Sequence, residues 1–194
     1  MPIAERFIPH EPFPELDHIR KIEITGLRRG NESTKEDLRK GLLSPYTVTI
    51  LLKNQENIIG YTVAVPMHTV DDEFPSLPIA PGTKVEIQKK KKVSIGNKKT
   101  TDNSLITKTA YIMETIITPT EQSKKYVGIL MKKLEKELRE LGYLYLARSA
   151  AINNGYADKI LHFYNDRILG SKQVYDINFG EQMFIFQSLY PLSK

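Results

Sequence analysis

The chain has 194 residues, 40 % of them hydrophobic and 26 % charged, which suits one folded domain with a real core. It has no cysteine and only four histidines, His10, His18, His68 and His162, spread along the sequence, which excludes disulfides and a cysteine nucleophile and argues against zinc. The net charge of +5 and an isoelectric point near 9.2 favour anionic partners, whether a nucleotide-like cofactor, an acidic protein or a nucleic acid. No run approaches the ~20 apolar residues of a membrane span and no basic-then-apolar leader opens the chain, so a cytoplasmic or otherwise intracellular protein with no membrane association is expected.

Residues 1–18 carry Pro2, Pro9, Pro12 and Pro14 and show no period, which predicts an N-terminal arm lying on the domain or loose. The alternation of Ile19 to Leu27 predicts a first strand. Ser33-Thr34-Lys35-Glu36 has the form of a capping box in front of Leu38, Leu42 and Leu43 and predicts a helix. Tyr46 to Lys53 and Ile58 to Val65 are β-rich runs flanking Asn54 to Asn57, a spacing suited to a hairpin. Residues 68–108 break the pattern and read as an insertion. Asp71, Asp72 and Glu73 precede Pro75, Pro78, Pro81 and Gly82, and then Lys84, Lys89 to Lys92, Lys98 and Lys99 surround an alternating run. A lysine-rich hairpin there would suit an anionic partner along Lys84 to Lys99, including a nucleic acid; the lack of interleaved aromatics favours a solvated face.

Ala110 to Thr118 reads as a strand that stops at Pro119 and passes through a short polar loop into a helix. In that helix Val127, Leu130, Met131, Leu134, Leu138 and Leu141 recur at three- and four-residue steps, with charged residues on the other face and Gly142 as the stop. The first N–H groups of such a helix lack internal partners and carry the positive end of its dipole; with Lys124 and Lys125 beside them they suit an anion, although an ordinary strand-to-helix connection has the same look. Tyr143 to Ser149 predicts a buried strand, Asn153 and Asn154 open a second helix over Tyr156 to Leu169, and two last strands lie near Gln173 to Ile177 and Gln182 to Phe186. Phe179, Met183, Phe184 and Phe186 supply more apolar surface than one face needs, which points to a homodimer through the last strands. The predicted architecture is α+β, about seven strands and three helices around a central strand-helix-strand unit.

Order and local wording together resemble the GNAT superfamily of N-acetyltransferases over most of residues 19–188. The resemblance is carried by Ile58-Ile59-Gly60-Tyr61 opening the third strand, Ile116-Ile117-Thr118-Pro119 ending the fourth, Glu121 to Gly128 entering the helix, and an Asn154-led second helix with Ala157 and Tyr164. It implies a single domain with a mixed, mostly antiparallel twisted sheet and flanking helices. It further implies acetyl-CoA as acyl donor, its pantetheine arm along the backbone of Ile116, Ile117 and Thr118. Gln122, Ser123, Lys124, Lys125, Tyr126, Val127 and Gly128 would hold the phosphates, and Asn154 would assist.

An unprotonated amine of a protein or small molecule would then attack the thioester, Glu114 serving as base and Tyr164 as the acid beside the thiolate. Glu114 on an outer strand face, or Tyr164 packing on an amphipathic helix, are the competing readings of the same residues, and His162 reads as a surface histidine. The family's loop has small residues where this chain has Lys125 and Val127, and the β-branched valine obstructs close approach of backbone to a pyrophosphate. That departure supports a second reading, an inactive GNAT-like binding or regulatory module; nucleic-acid binding through the lysine-rich insertion is a third.

Overall fold

The structure is a computed structural model that describes residues 1–26, 33–70, 107–121, 124–151, 167–168, 170–176 and 183–192. It divides into two compact units, Met1–Val65 with Ile112–Gly142, and Pro66–Tyr111 with Tyr143–Lys194. Both helices and strands are present, so the α+β expectation holds.

The first unit begins with a correction. Within the proline-containing arm, strand β1 (Ile3–Arg6) pairs antiparallel with β2 (Val48–Asn54), Ile3 opposite Lys53 and Arg6 opposite Ile50. The Phe7 N–H continues the ladder to the Thr49 carbonyl at 2.9 Å, and the rings of Phe7 and Phe13 stack with centroids 4.7 Å apart. The strand expected over Ile19 to Leu27 is also corrected: α1 (Leu16–Gly26) is a helix. Its buried residues, Leu16, Ile19, Ile22 and Glu23, recur at three- and four-residue intervals, and this longer period outweighs the short alternation of Ile22 to Thr25.

The next helix, α2 (Lys35–Leu43), forms where expected, but its cap is Thr34 and not Ser33. Thr34 Oγ1 accepts from the Asp37 N–H at 3.1 Å and donates to Asp37 Oδ2 at 2.6 Å, so the reciprocal partner is Asp37 and not Glu36. Strands β2 and β3 (Asn57–Pro66) make the predicted hairpin with Asn54 opposite Asn57, tightened to a two-residue turn in which Gln55 takes φ +56°. The register shifts between Leu52, opposite Gly60, and Lys53, opposite Ile58, leaving Ile59 as the extra residue of a bulge.

Strand β4 (Thr109–Ile117) lies beside β3. Leu51, Tyr61, Val63 and Ile116 face α1 and α2 in one apolar cluster with Ile19, Leu38 and Leu42. The alternate residues Ile50, Leu52, Thr62 and Ala64 are buried as well, which gives these strands two covered faces.

Helix α3 (Lys124–Glu140) packs on β1 and β2, burying Leu130, Met131, Leu134 and Leu138. The expected stripe is slightly rotated: Leu141 is exposed, while Glu135 and Glu137 are buried. Glu137 is satisfied by Arg6 on β1 at 3.2 Å and by Lys133 at 2.7 Å. Gly142, at φ +89°, ends the helix in the left-handed region that the sequence assigns to it.

In the second unit β5 (Tyr145–Ala151) pairs antiparallel with β7 (Met183–Pro191), and β7 with β6 (Gly170–Asp176). Tyr111, at the start of β4, bonds its hydroxyl to Ser149 Oγ of β5 at 2.8 Å, and the Lys108 carbonyl accepts from the N–H groups of Leu144 and Tyr145. The insertion over 71–106, the helix expected over Tyr156 to Leu169 except for its last residues, and the aromatic side chains assigned to a dimer face all lie outside the described residues or side chains.

Candidate active site

Within the first unit, Gly60 brings β3 unusually close to the end of β4. A Cβ at Gly60 would stand 2.8 Å from the Ile116 carbonyl oxygen and 2.9 Å from Ile117 Cγ1, contacts that real side chains do not make. The bulge at Ile59 immediately precedes it, and the Ile59 carbonyl accepts the Thr118 N–H at 2.9 Å. Two residues further into the strands, the Thr62 hydroxyl donates to the Glu114 carbonyl at 2.9 Å and meets Thr115 Oγ1 at 2.8 Å. The end of β4 is therefore held tightly on its β3 side.

Glu114 shares its strand face with Ile116, which belongs to the cluster under α1 and α2, so it points inward and not to the outer face that strand alternation also allowed. Burial pushes its carboxyl up to about 7, against a smaller lowering by the Tyr61 hydroxyl and a further raising by the negative charge of Glu23. Tyr61 is completely buried, and burial first, then the Glu114 carboxylate, pushes its phenol far above the ordinary range. Its hydroxyl makes no hydrogen bond of normal geometry among the described residues, so its effect on Glu114 is one of proximity. Glu23, on the last turns of α1, is buried; one oxygen accepts the Ser33 N–H at 2.9 Å and the other has no partner among the described residues. Glu114 thus lies beside the Tyr61 phenol and within reach of the Glu23 charge.

Of the strand residues expected beside the pantetheine arm, Thr118 has its N–H committed to the Ile59 carbonyl. Because successive N–H groups alternate sides along a strand, the Ile116 N–H points towards β3 as well and the Ile117 N–H points away from it. At the start of α3, Lys125 is exposed and Tyr126, Val127 and Gly128 are half-buried. The first turn holds no acidic residue, and a Cβ at Gly128 would meet nothing within 4 Å. Glycine in a helix costs about 1 kcal/mol relative to alanine, and packing within the described residues does not account for it here. A helix start with no acid in its first turn and open space at Gly128 fits a phosphate-bearing group. Gln122, Ser123, Asn154 and Tyr164 lie outside the described residues, as does the side chain of Lys124.

No protein-family model and no curated protein sequence matches the chain. Solved structures do. The ribosomal-protein-S18-alanine N-acetyltransferase of Escherichia coli superposes with a TM-score of 0.61 at 11 % identity, over 100 % of this chain and 96 % of that one. A GNAT-family protein of Desulfovibrio desulfuricans gives 0.60 at 10 % identity over 100 % of both chains. The yncA protein of Salmonella typhimurium, solved with its cofactor acetyl-CoA, gives 0.61 at 10 % identity over 98 % of this chain and 95 % of that one. The chain has the GNAT fold.

Against that fold, the residues that sequence reasoning missed are Glu23 and Tyr61. Glu23 was hidden because its segment read as a strand, where an acidic residue between isoleucines faces solvent; on a helix it falls on the buried stripe beside Ile19 and Ile22. Tyr61 was visible only as part of the wording that carries the GNAT resemblance. Among the described residues no group of three or more His, Asp or Glu side chains is arranged to hold a metal ion, and no helix is long and apolar enough to cross a membrane.

Proposed function

We propose that the chain is an acetyl-CoA-dependent N-acetyltransferase acting on an amine of a protein or small molecule. The observation that carries the reading is Glu114, a half-buried carboxyl on β4 raised to about 7, where it both accepts and releases a proton near neutral pH. The shared fold, and the presence of an alanine N-acetyltransferase and an acetyl-CoA complex among the similar structures, support it.

When bound, acetyl-CoA supplies the thioester carbonyl that the amine nitrogen attacks, with cleavage of the C–S bond. Glu114 takes the proton that the amine gives up, and the Ile117 N–H, on the side of β4 away from β3, polarises the carbonyl with the adjoining backbone of Ile116. Thr118 contributes shape and not a donor. Gln122 and Ser123, together with Lys124, Lys125, Tyr126, Val127 and Gly128 at the start of α3, hold the phosphates, with Asn154 as a further contact. Tyr164 gives its proton to the departing thiolate.

A second reading, a GNAT-like module without activity, is favoured by Val127 alone, because its β-branched side chain narrows the approach to the helix start. Calorimetric titration with acetyl-CoA separates the two. Micromolar binding that Lys125→Glu abolishes supports the transferase and opens an amine screen; no heat at high ligand concentration favours the module. Binding of a nucleic acid that weakens steeply with salt would instead support a role for Lys84 to Lys99.

A further inference from the structure

Glu23 is 1 % exposed, and although Oε1 accepts the Ser33 N–H, Oε2 has no hydrogen-bond partner among the described residues. The Tyr61 hydroxyl, in a residue with 0 % exposure, also makes no hydrogen bond of normal geometry among the described residues. Leaving a carboxylate oxygen and a phenol unsatisfied in an apolar surround is costly, and such groups persist where the fold over-determines them, often for function. Here the fold does so. Arg20, one turn before Glu23 on α1, donates to the Ser33 carbonyl at 3.0 Å, so α1 grips both backbone groups of the residue that leads into α2. Glu23 is thereby fixed, and its charge is felt by Glu114 and Tyr61 alike. Tyr61 acts on Glu114 in the opposite sense, lowering it, and from β2 and α2 the cluster receives Leu51, Leu38 and Leu42.

We propose that Glu23 is a positioning residue for the transfer: its unpartnered carboxylate oxygen, working against the opposing effect of the Tyr61 hydroxyl, keeps the Glu114 carboxyl able to hold a proton taken from the acceptor amine. The proposal rests on Glu114 being the base. A carboxylate of ordinary acidity would return such a proton at once, whereas a second buried negative charge stabilises the protonated form of its neighbour. The proton moves from the amine nitrogen to a Glu114 oxygen and later leaves to water; Glu23 touches neither substrate nor proton.

The test follows the Glu114 carboxyl by carbon NMR on the whole protein, its signal assigned by its loss in Glu114→Gln, with no substrate needed. Glu23→Gln, whose amide oxygen still accepts from Ser33, is expected to lower the Glu114 midpoint by of the order of one pH unit. Glu23→Asp, with its charge drawn back by one methylene, lowers it less, and Tyr61→Phe raises it. The acid limb of kcat/KM for an amine acceptor shifts by the same amounts, with KM for acetyl-CoA unchanged.

A midpoint that stays put in Glu23→Gln overturns the proposal, even if Glu114→Gln is inactive and Glu114 remains the base. Should Glu23→Gln not fold, an unmoved midpoint in both Glu23→Asp and Tyr61→Phe overturns it equally. A midpoint that moves while the rate profile does not overturns the reading of Glu114 as base, and the role of Glu23 in transfer with it.

Discussion

Gly60 and Ile116 are in closer contact than any residue with a side chain would permit, since a Cβ on Gly60 would lie 2.8 Å from the Ile116 carbonyl oxygen. The obstruction is backbone, which cannot rotate away, so Gly60→Ala must part β3 from β4. Overpacking of this kind costs roughly 1–3 kcal/mol. Urea unfolding should show that loss, and the Thr118 amide, bonded to Ile59 next door, should lose protection from hydrogen exchange. An alanine variant of full stability would show that the strands can separate there without cost.

Glu114 makes stability depend on pH in the direction opposite to most carboxylates. Its folded value, about 7, lies above the ordinary 4.5, so the native state keeps a proton that the unfolded chain has already released. The contribution is complete below the ordinary value and is lost as pH rises through about 7, by at most about 3 kcal/mol. Subtracting the stability of Glu114→Gln from that of the wild type across pH 4 to 8 should therefore give a curve that falls with pH. A flat difference would place the carboxyl in an ordinary environment.

Glu137 behaves the other way. The hydrogen bond from Lys133, aided by Arg6, holds its carboxyl below the usual range despite some burial. The stability it confers is present above the unfolded value and disappears as pH falls through the lowered one. Because Lys133 and Arg6 are 30 % and 35 % exposed, water screens the pair, and Arg6→Met should cost only about 1 kcal/mol near neutral pH. The same variant measured below pH 3 should cost less, and an undiminished cost would mean that Arg6 acts through packing of its stem.

Thr34 caps α2 by accepting from the Asp37 N–H, whereas Ser33 gives its backbone to α1. Thr34→Ala should therefore destabilise by about 1 kcal/mol, while Ser33→Ala should change little. Thermal unfolding of the two variants decides between the positions, and a reversed order would return the cap to Ser33.

Much of the first unit could be read from residue patterns, because its signals are long or reciprocal. The stripe from Leu130 to Leu138 spans several helical turns, and the β2–β3 hairpin has two β-rich runs around a polar turn. The errors came from short signals. The short alternation of Ile22 to Thr25 at the end of α1 imitates a strand, and only the spacing from Leu16 to Glu23 reveals the helix. Ser33 and Thr34 are both good caps, and the choice is made by Glu23 and Arg20, which engage Ser33 from another element. For Glu114, strand periodicity leaves two faces open, and only the cover provided by α1 and α2 selects the inward one. Its acidity depends on Glu23 and Tyr61, 91 and 53 positions away in the chain, which no local pattern can bring together.

The Thr62 hydroxyl has a consequence for observing the molecule. Since it gives its hydrogen to the Glu114 carbonyl, the contact with Thr115 Oγ1 must use the Thr115 hydrogen, so the two hydroxyls point one way in a fixed relay. Thr62 is fully buried, which slows exchange of that hydrogen with water. Such a hydrogen gives a resolved proton resonance, and its rate of loss into heavy water is an intrinsic clock for β3 and β4 coming apart, readable without a fluorophore or any added label.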